Sequence, residues 1–120
     1  MTEIKLTLPA PPSINSLWRV KGDIVYKTKK YNDFKQEVMD IVKKSGYLNL
    51  KLESRLYYEA KYYPPDNRKR DIDNFCSKAL LDSLTSAGVY VDDSQIDIIH
   101  YERGPVIKNG KIEIILREIQ

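Results

Sequence analysis

A chain of 120 residues can bury one hydrophobic core but is too short to divide into two, so residues 1–120 are read as a single domain. Hydrophobic residues at 42% and charged residues at 31% match an ordinary globular protein, and no apolar run of about 18 residues offers a membrane span. A lone cysteine, Cys76, excludes an internal disulfide; no Cys/His spacing suits zinc, and the segment MTEIKLTLPAPP carries no export signal, so a cytoplasmic protein without a membrane partner is expected.

Ile4, Leu6 and Leu8 alternate with Glu3, Lys5 and Thr7, the period of a half-buried strand that Pro9, Pro11 and Pro12 end. From about Asn32 to Lys44, Phe34, Val38, Ile41 and Val42 share one helical face, and Gly46 closes the helix. Residues 52–63 alternate again, with Leu52, Leu56, Tyr58, Ala60 and Tyr62 on one side, and Pro64-Pro65 stop the strand. Cys76, Leu80, Leu84 and Ala87 form a second helical stripe beginning near Asn74, with Gly88 placed as its C-cap. Residues 95–103 and 111–118 read as two strands, and Asn109-Gly110 between them is a hairpin signal. The predicted order β-α-β-α-β-β implies an α/β (α+β) layer, a mixed sheet packed with two helices.

The net charge of +3 is unevenly spread. Residues 71–102 hold seven acidic residues and one basic residue, Lys78, so an acidic island sits in a basic chain. That distribution suits an enzyme that holds phosphates with cations and a divalent metal with carboxylates; segregation of solvated surface charges would give the same pattern. Within the island, Arg70-Asp71-Ile72-Asp73-Asn74 places Asp71 and Asp73 on the same side of an extended segment, where their mutual repulsion favours a hard cation. A helix and a turn at Gly88 return the chain so that Asp93 can supply a third carboxylate. Such oxygen donors suit Mg²⁺, and no organic cofactor is called for. Taken singly, each of these acids reads more simply as a helix cap or a turn residue; their combination next to three successive cations favours the metal.

Arg-Asp-Ile-Asp-Asn, then Lys78 with Leu81-Asp82-Ser83-Leu84, then Ala87-Gly88-Val89-Tyr90-Val91-Asp92-Asp93-Ser94-Gln95, together with Pro-Pro-Ser-Ile-Asn-Ser at residues 11–16, closely resembles the RusA family of Holliday junction resolvases. The resemblance implies a RusA-like fold and a homodimeric, Mg²⁺-dependent endonuclease, with Mn²⁺ as a substitute. Its members are often encoded by phages or prophages and act in DNA recombination and repair, nicking paired strands of a four-way junction to leave ligatable ends. By matching positions, Asp71, Asp73 and Asp93 take the roles of the essential acids and metal ligands, and Lys78 that of the catalytic lysine. The family places this lysine four residues after the second aspartate. Here Lys78 lies five after Asp73 but keeps a four-residue spacing to Asp82, which locates the extra residue at the helix start.

Candidate DNA contacts are Asn15, Arg19, Lys27, Lys29, Lys30, Arg68, Lys69, Arg70 and Asn74, with Trp18, Tyr26 and Tyr31 either stacking on junction bases or packed in the core. Tyr57-Tyr58, Tyr62-Tyr63 or an uncovered sheet edge are the candidate dimer contacts, and His100 reads as structural. Two rival functions are a non-catalytic DNA-binding protein and a general branched-DNA or flap nuclease. The Glu59-Ala60-Lys61 and Pro65-Asp66 fragments of restriction-enzyme-like nucleases occur in the wrong order.

Overall fold

In a computed structural model of the chain, residues 3–13, 16–70 and 77–119 are described. Among them the order is β1 (Glu3–Leu8), β2 (Trp18–Lys21), β3 (Ile24–Lys27), α1 (Lys29–Lys44), β4 (Arg55–Tyr63), α2 (Ser77–Ser86), a 3-10 turn (Asp93–Gln95), β5 (Ile96–Arg103) and β6 (Lys111–Ile119).

The main sheet runs β1-β6-β4-β5, with β6 antiparallel to both β1 and β4, and β4 parallel to β5. A mixed sheet with two helices is therefore what forms, as the periodicities predict. Alternation explains its layers: Ile4, Leu6 and Leu8 of β1, Leu56, Tyr58 and Ala60 of β4, and Ile112, Ile114 and Leu116 of β6 are buried, together with Phe34, Val38 and Val42 of α1 and Leu80 and Leu84 of α2. On the opposite face, tyrosines and charges cover one another: Tyr57 donates to Glu59 at 2.6 Å, Arg117 stacks over Tyr57, and Lys61 pairs with Glu102.

The Asn109-Gly110 turn exists, with both residues left-handed (φ 71° and 67°), but it does not make β5 and β6 a hairpin. The loop from 104 to 110 is instead pinned across the end of β4, where Gly104 N–H donates to the Tyr62 carbonyl at 2.8 Å and Ile107 N–H to that of Pro64 at 2.9 Å. Burial decides the order. The inner side of β6 buries Ile112, Ile114 and Leu116 and enters the middle of the sheet, whereas β5 exposes Ile98 and Ile99 at its edge.

A hairpin, β2–β3, is absent from the predicted elements although its signal is present: Trp18–Lys21 and Ile24–Lys27 flank Gly22-Asp23, and Gly22 takes φ 62°. All eight strand residues are exposed, so no apolar alternation marked them.

Helix α1 begins at Lys29, three residues before the predicted start. Thr28 caps it, accepting from Tyr31 N–H at 3.3 Å while donating to the Ser16 carbonyl at 2.6 Å. Both helices end as expected. Gly46 and Gly88 sit left-handed (φ 85° and 72°), and Tyr47 N–H and Val89 N–H reach back to Val42 and Leu84 at 3.0 and 3.2 Å. The predicted strand 52–63 is shortened to 55–63. Asn49 and Lys51 turn left-handed (φ 58° and 55°), and residues 49–52 hydrogen-bond instead to residues 87–91.

Strand β4 is internal, and Tyr58 and Tyr62 are buried beneath the helices, so these two cannot serve a dimer contact; the uncovered edges belong to β1 and β5. His100 lies exposed on β5 opposite Glu59. No helix of the described residues is long and apolar enough to cross a membrane.

Candidate metal centre and nucleic-acid interface

Of the three candidate acids, Asp93 is described; Asp71 and Asp73 lie outside the described residues, as do Asn15, Asn74 and Cys76. Asp93 opens the 3-10 turn, and the surrounding sequence holds that turn rigidly. The Asp92 carboxylate accepts Ser94 N–H at 3.1 Å. The Gln95 side chain, 8% exposed, accepts Val91 N–H at 2.9 Å and Asp92 N–H at 2.8 Å. Its amide donates to the Leu52 and Ser54 carbonyls at 2.8 and 2.9 Å. From β4, Arg55 donates to the Ser94 carbonyl at 2.7 Å and forks onto Asp97. Sequence reasoning read this segment as a turn but missed Gln95 and Arg55, whose partners are about forty residues distant.

The Asp93 side chain is half-buried and oriented through a single oxygen. Oδ1 receives the Thr85 hydroxyl and lies 3.0 Å from that of Tyr90. Tyr90 is fully buried and its hydroxyl also stands 2.9 Å from the Leu81 carbonyl, so its one proton serves either acceptor. Burial pushes this phenol far above the ordinary tyrosine range, so it remains a hydrogen-bond donor at neutral pH. These contacts at Oδ1 leave Oδ2 as a hard oxygen donor of the kind Mg²⁺ and Mn²⁺ accept.

Lys78 shares a helical face with Asp82 and Thr85. Its ammonium lies 3.4 Å from Asp82 Oδ2, which also receives the hydroxyl of the buried Tyr31. The four-residue spacing to Asp82 thus produces a real contact. Lys78 stands in the first turn of α2 and Thr85 in the last, about 10 Å apart along the axis. Among the described residues, no three metal-ligating side chains converge.

The basic stretch after β4 is organised by Asp66. Its carboxylate accepts Arg68 N–H at 3.0 Å and pairs with Arg70 at 2.8 Å, contacts that hold it below the usual carboxylate range, Arg70 contributing most. Arg70 is consequently half-buried and engaged within the loop, whereas Arg68 and Lys69 are exposed. Arg103 at the end of β5 donates to the Arg70 carbonyl at 2.6 Å, one residue before Asp71. Together these side chains line a groove of about 450 Å³ with a basic rim. Arg103 was not singled out from sequence because its strand partner, Tyr62, is known only once β4 and β5 pair.

The other basic stretch lies on the β2–β3 hairpin and the start of α1. Lys29 pairs with Asp33 at 3.0 Å, and Arg19 donates to the Trp18 carbonyl at 2.9 Å. Tyr31 is core and cannot stack on a base, but Trp18 and Tyr26 remain 39% and 45% exposed.

The sequence model of the family described as Endodeoxyribonuclease RusA matches residues 9–117. The chain belongs to the RusA family. A relative in Enterobacteria phage HK97, named crossover junction endodeoxyribonuclease, is 37% identical over 120 residues, spanning 100% of this chain and 98% of its own. The RusA relatives of Escherichia coli K12 and Enterobacteria phage 82, named alike, are 31% and 32% identical over 119 residues, 99% of this chain and 98% of theirs. The periplasmic domain of Helicobacter pylori MotB aligns at 15% identity and a TM-score of 0.42 over 97% of this chain and 74% of its own, too weak a likeness to bear on fold or function.

Proposed function

We propose that this RusA-family chain is a Holliday junction resolvase: an Mg²⁺-dependent endodeoxyribonuclease that acts as a homodimer and makes paired, symmetric nicks in a four-way DNA junction. Its similarity, over nearly the full length, to relatives named crossover junction endodeoxyribonucleases carries this reading. Asp71, Asp73 and Asp93 would hold the cation, a purely hard-oxygen set for which the hydroxyl-braced Asp93 is suited. When bound, a divalent ion supplies Lewis-acid stabilisation to a phosphodiester undergoing hydrolysis.

The protein's own residues do the rest. Thr85 and Tyr90 orient Asp93 through Oδ1. Lys78 offers positive charge to the phosphate oxygens as charge develops, with Asp82 steering its ammonium. Arg68 and Lys69 present exposed cations to the backbone, while Arg70 and Arg103 brace the chain leading into Asp71. A four-way junction has approximate two-fold symmetry, so a two-fold dimer with one site per chain matches paired nicks.

The test is incubation of purified protein with labelled four-way junction, flap and linear duplex, in Mg²⁺ or in EDTA. Paired nicks in the junction that require Mg²⁺ are expected. Flap cleavage at equal rate would favour a general branched-DNA nuclease, and metal-independent binding without any nicking would favour a pure DNA-binding protein.

A further inference from the structure

Lys27, at the end of β3, and Lys35, in the second turn of α1, aim their ammonium groups at one aromatic ring. Their Nζ atoms lie 5.3 and 5.4 Å from the centroid of Tyr31, and Lys27 also sits 5.9 Å from that of Trp18. The hydroxyl of that same Tyr31 donates to Asp82 Oδ2, and the Lys78 ammonium on α2 lies 3.4 Å from this oxygen. Three lysines from three elements thus face one small region. The nearby carboxylate, Asp82, is already engaged by Tyr31 and Lys78.

Like charges gathered on one ring repel, and partial burial of Lys35 removes water that would screen them. Burial first, then the neighbouring Lys27, hold the Lys35 ammonium below the usual lysine range. The arrangement is costly for the free protein unless an anion completes it. Among the described residues, no carboxylate pairs with Lys27 or Lys35 within ion-pair distance. A phosphate offers several oxygens to which separate ammonium groups can donate at once. Trp18, 39% exposed and edge-on to Tyr31 at 5.8 Å, adds an aromatic wall beside Lys27, a feature that suits a sugar or base attached to that phosphate.

We propose that Lys27, Lys35 and Lys78 form a phosphate-binding cleft that takes one backbone phosphodiester of the DNA substrate. Lys35 lies outside both basic stretches visible in the sequence. The inference rests on the proposed junction-binding function and extends the DNA footprint across α1 and α2.

Junction affinity measured against NaCl concentration, in EDTA to prevent cleavage, tests it. The K27Q/K35Q variant should show a log–log salt slope shallower by about 1 than wild type, because each neutralised phosphate contributes a slope of roughly 1. The K43Q/K44Q variant, with the same charge change at the far end of α1, should keep the wild-type slope, and K27R/K35R should restore it. Equal slopes for K27Q/K35Q and K43Q/K44Q would overturn the cleft. Thermal melting of each variant at low salt, with and without inorganic phosphate, forms the second arm. A phosphate-dependent rise in Tm lost in K27Q/K35Q, with junction slopes unchanged, would assign the cleft to a free anion and overturn its DNA role. Wild-type protein that binds no junction would instead overturn the resolvase reading, a result recognisable before any variant is made.

Discussion

The Thr85 hydroxyl donates to the Asp93 carboxylate, joining the last turn of α2 to the turn that opens β5. Eight residues separate the two in sequence. The Schellman closure at Gly88 brings them together, so the helix end and the acid are built as one unit.

Replacing Thr85 with valine keeps the shape and removes the hydroxyl. T85V should lose about 1 kcal/mol of stability, the usual value of one such hydrogen bond. It should also weaken Mn²⁺ binding roughly tenfold, as expected when a partner that orients a metal ligand is lost. Calorimetric titration with Mn²⁺ and a thermal melt check both; unchanged metal affinity would detach Thr85 from the metal centre.

The acids themselves should separate binding from cutting. D71N and D93N are expected to bind a four-way junction with near wild-type affinity in EDTA and to lose cleavage by at least about a hundredfold in Mg²⁺. Gel-shift and nicking assays on the same preparations measure the two. Wild-type cleavage by either variant would remove that residue from the site.

Gln95 satisfies four backbone groups with one buried side chain. Truncation in Q95A leaves them unmet and should cost about 2–3 kcal/mol, read from urea denaturation. Because the same bonds hold the Asp93 turn, nicking activity should fall in the folded variant too, at temperatures well below its melting point.

Gly88 combines a left-handed backbone with crowding: a Cβ there would lie 2.7 Å from Asn49 Oδ1 and 3.0 Å from Asn49 Cα. G88A should therefore destabilise the protein by more than the roughly 1 kcal/mol of a left-handed alanine alone, measurable by thermal melting. A neutral result would mean that the 49–52 segment yields.

Asp66 gives a pH prediction. Its folded pKa is depressed by the Arg70 guanidinium and the Arg68 N–H, so its stabilising effect is present above the unfolded value near 4 and is lost as pH falls through the folded value. D66N should melt below wild type at pH 6, and the difference should vanish in acid. A gap that persisted at pH 2 would place the effect in packing rather than in the carboxylate charge.

The sequence by itself determined the strands and helices whose burial is one-sided, because alternation and the 3.6-residue period directly record which side chains leave water. β1, β4, β6 and the inner faces of α1 and α2 were legible for that reason, and the helix stops were legible from their glycines. The β2–β3 hairpin left no such record, since nothing on it is buried. Tertiary structure alone decided that β6 inserts between β1 and β4, and that Tyr31 reaches Asp82 across fifty-one residues. It also decided that Lys35 and Lys27 converge on the Tyr31 ring. Such contacts depend on which apolar faces win the centre of the sheet, a competition among distant segments that no local period encodes.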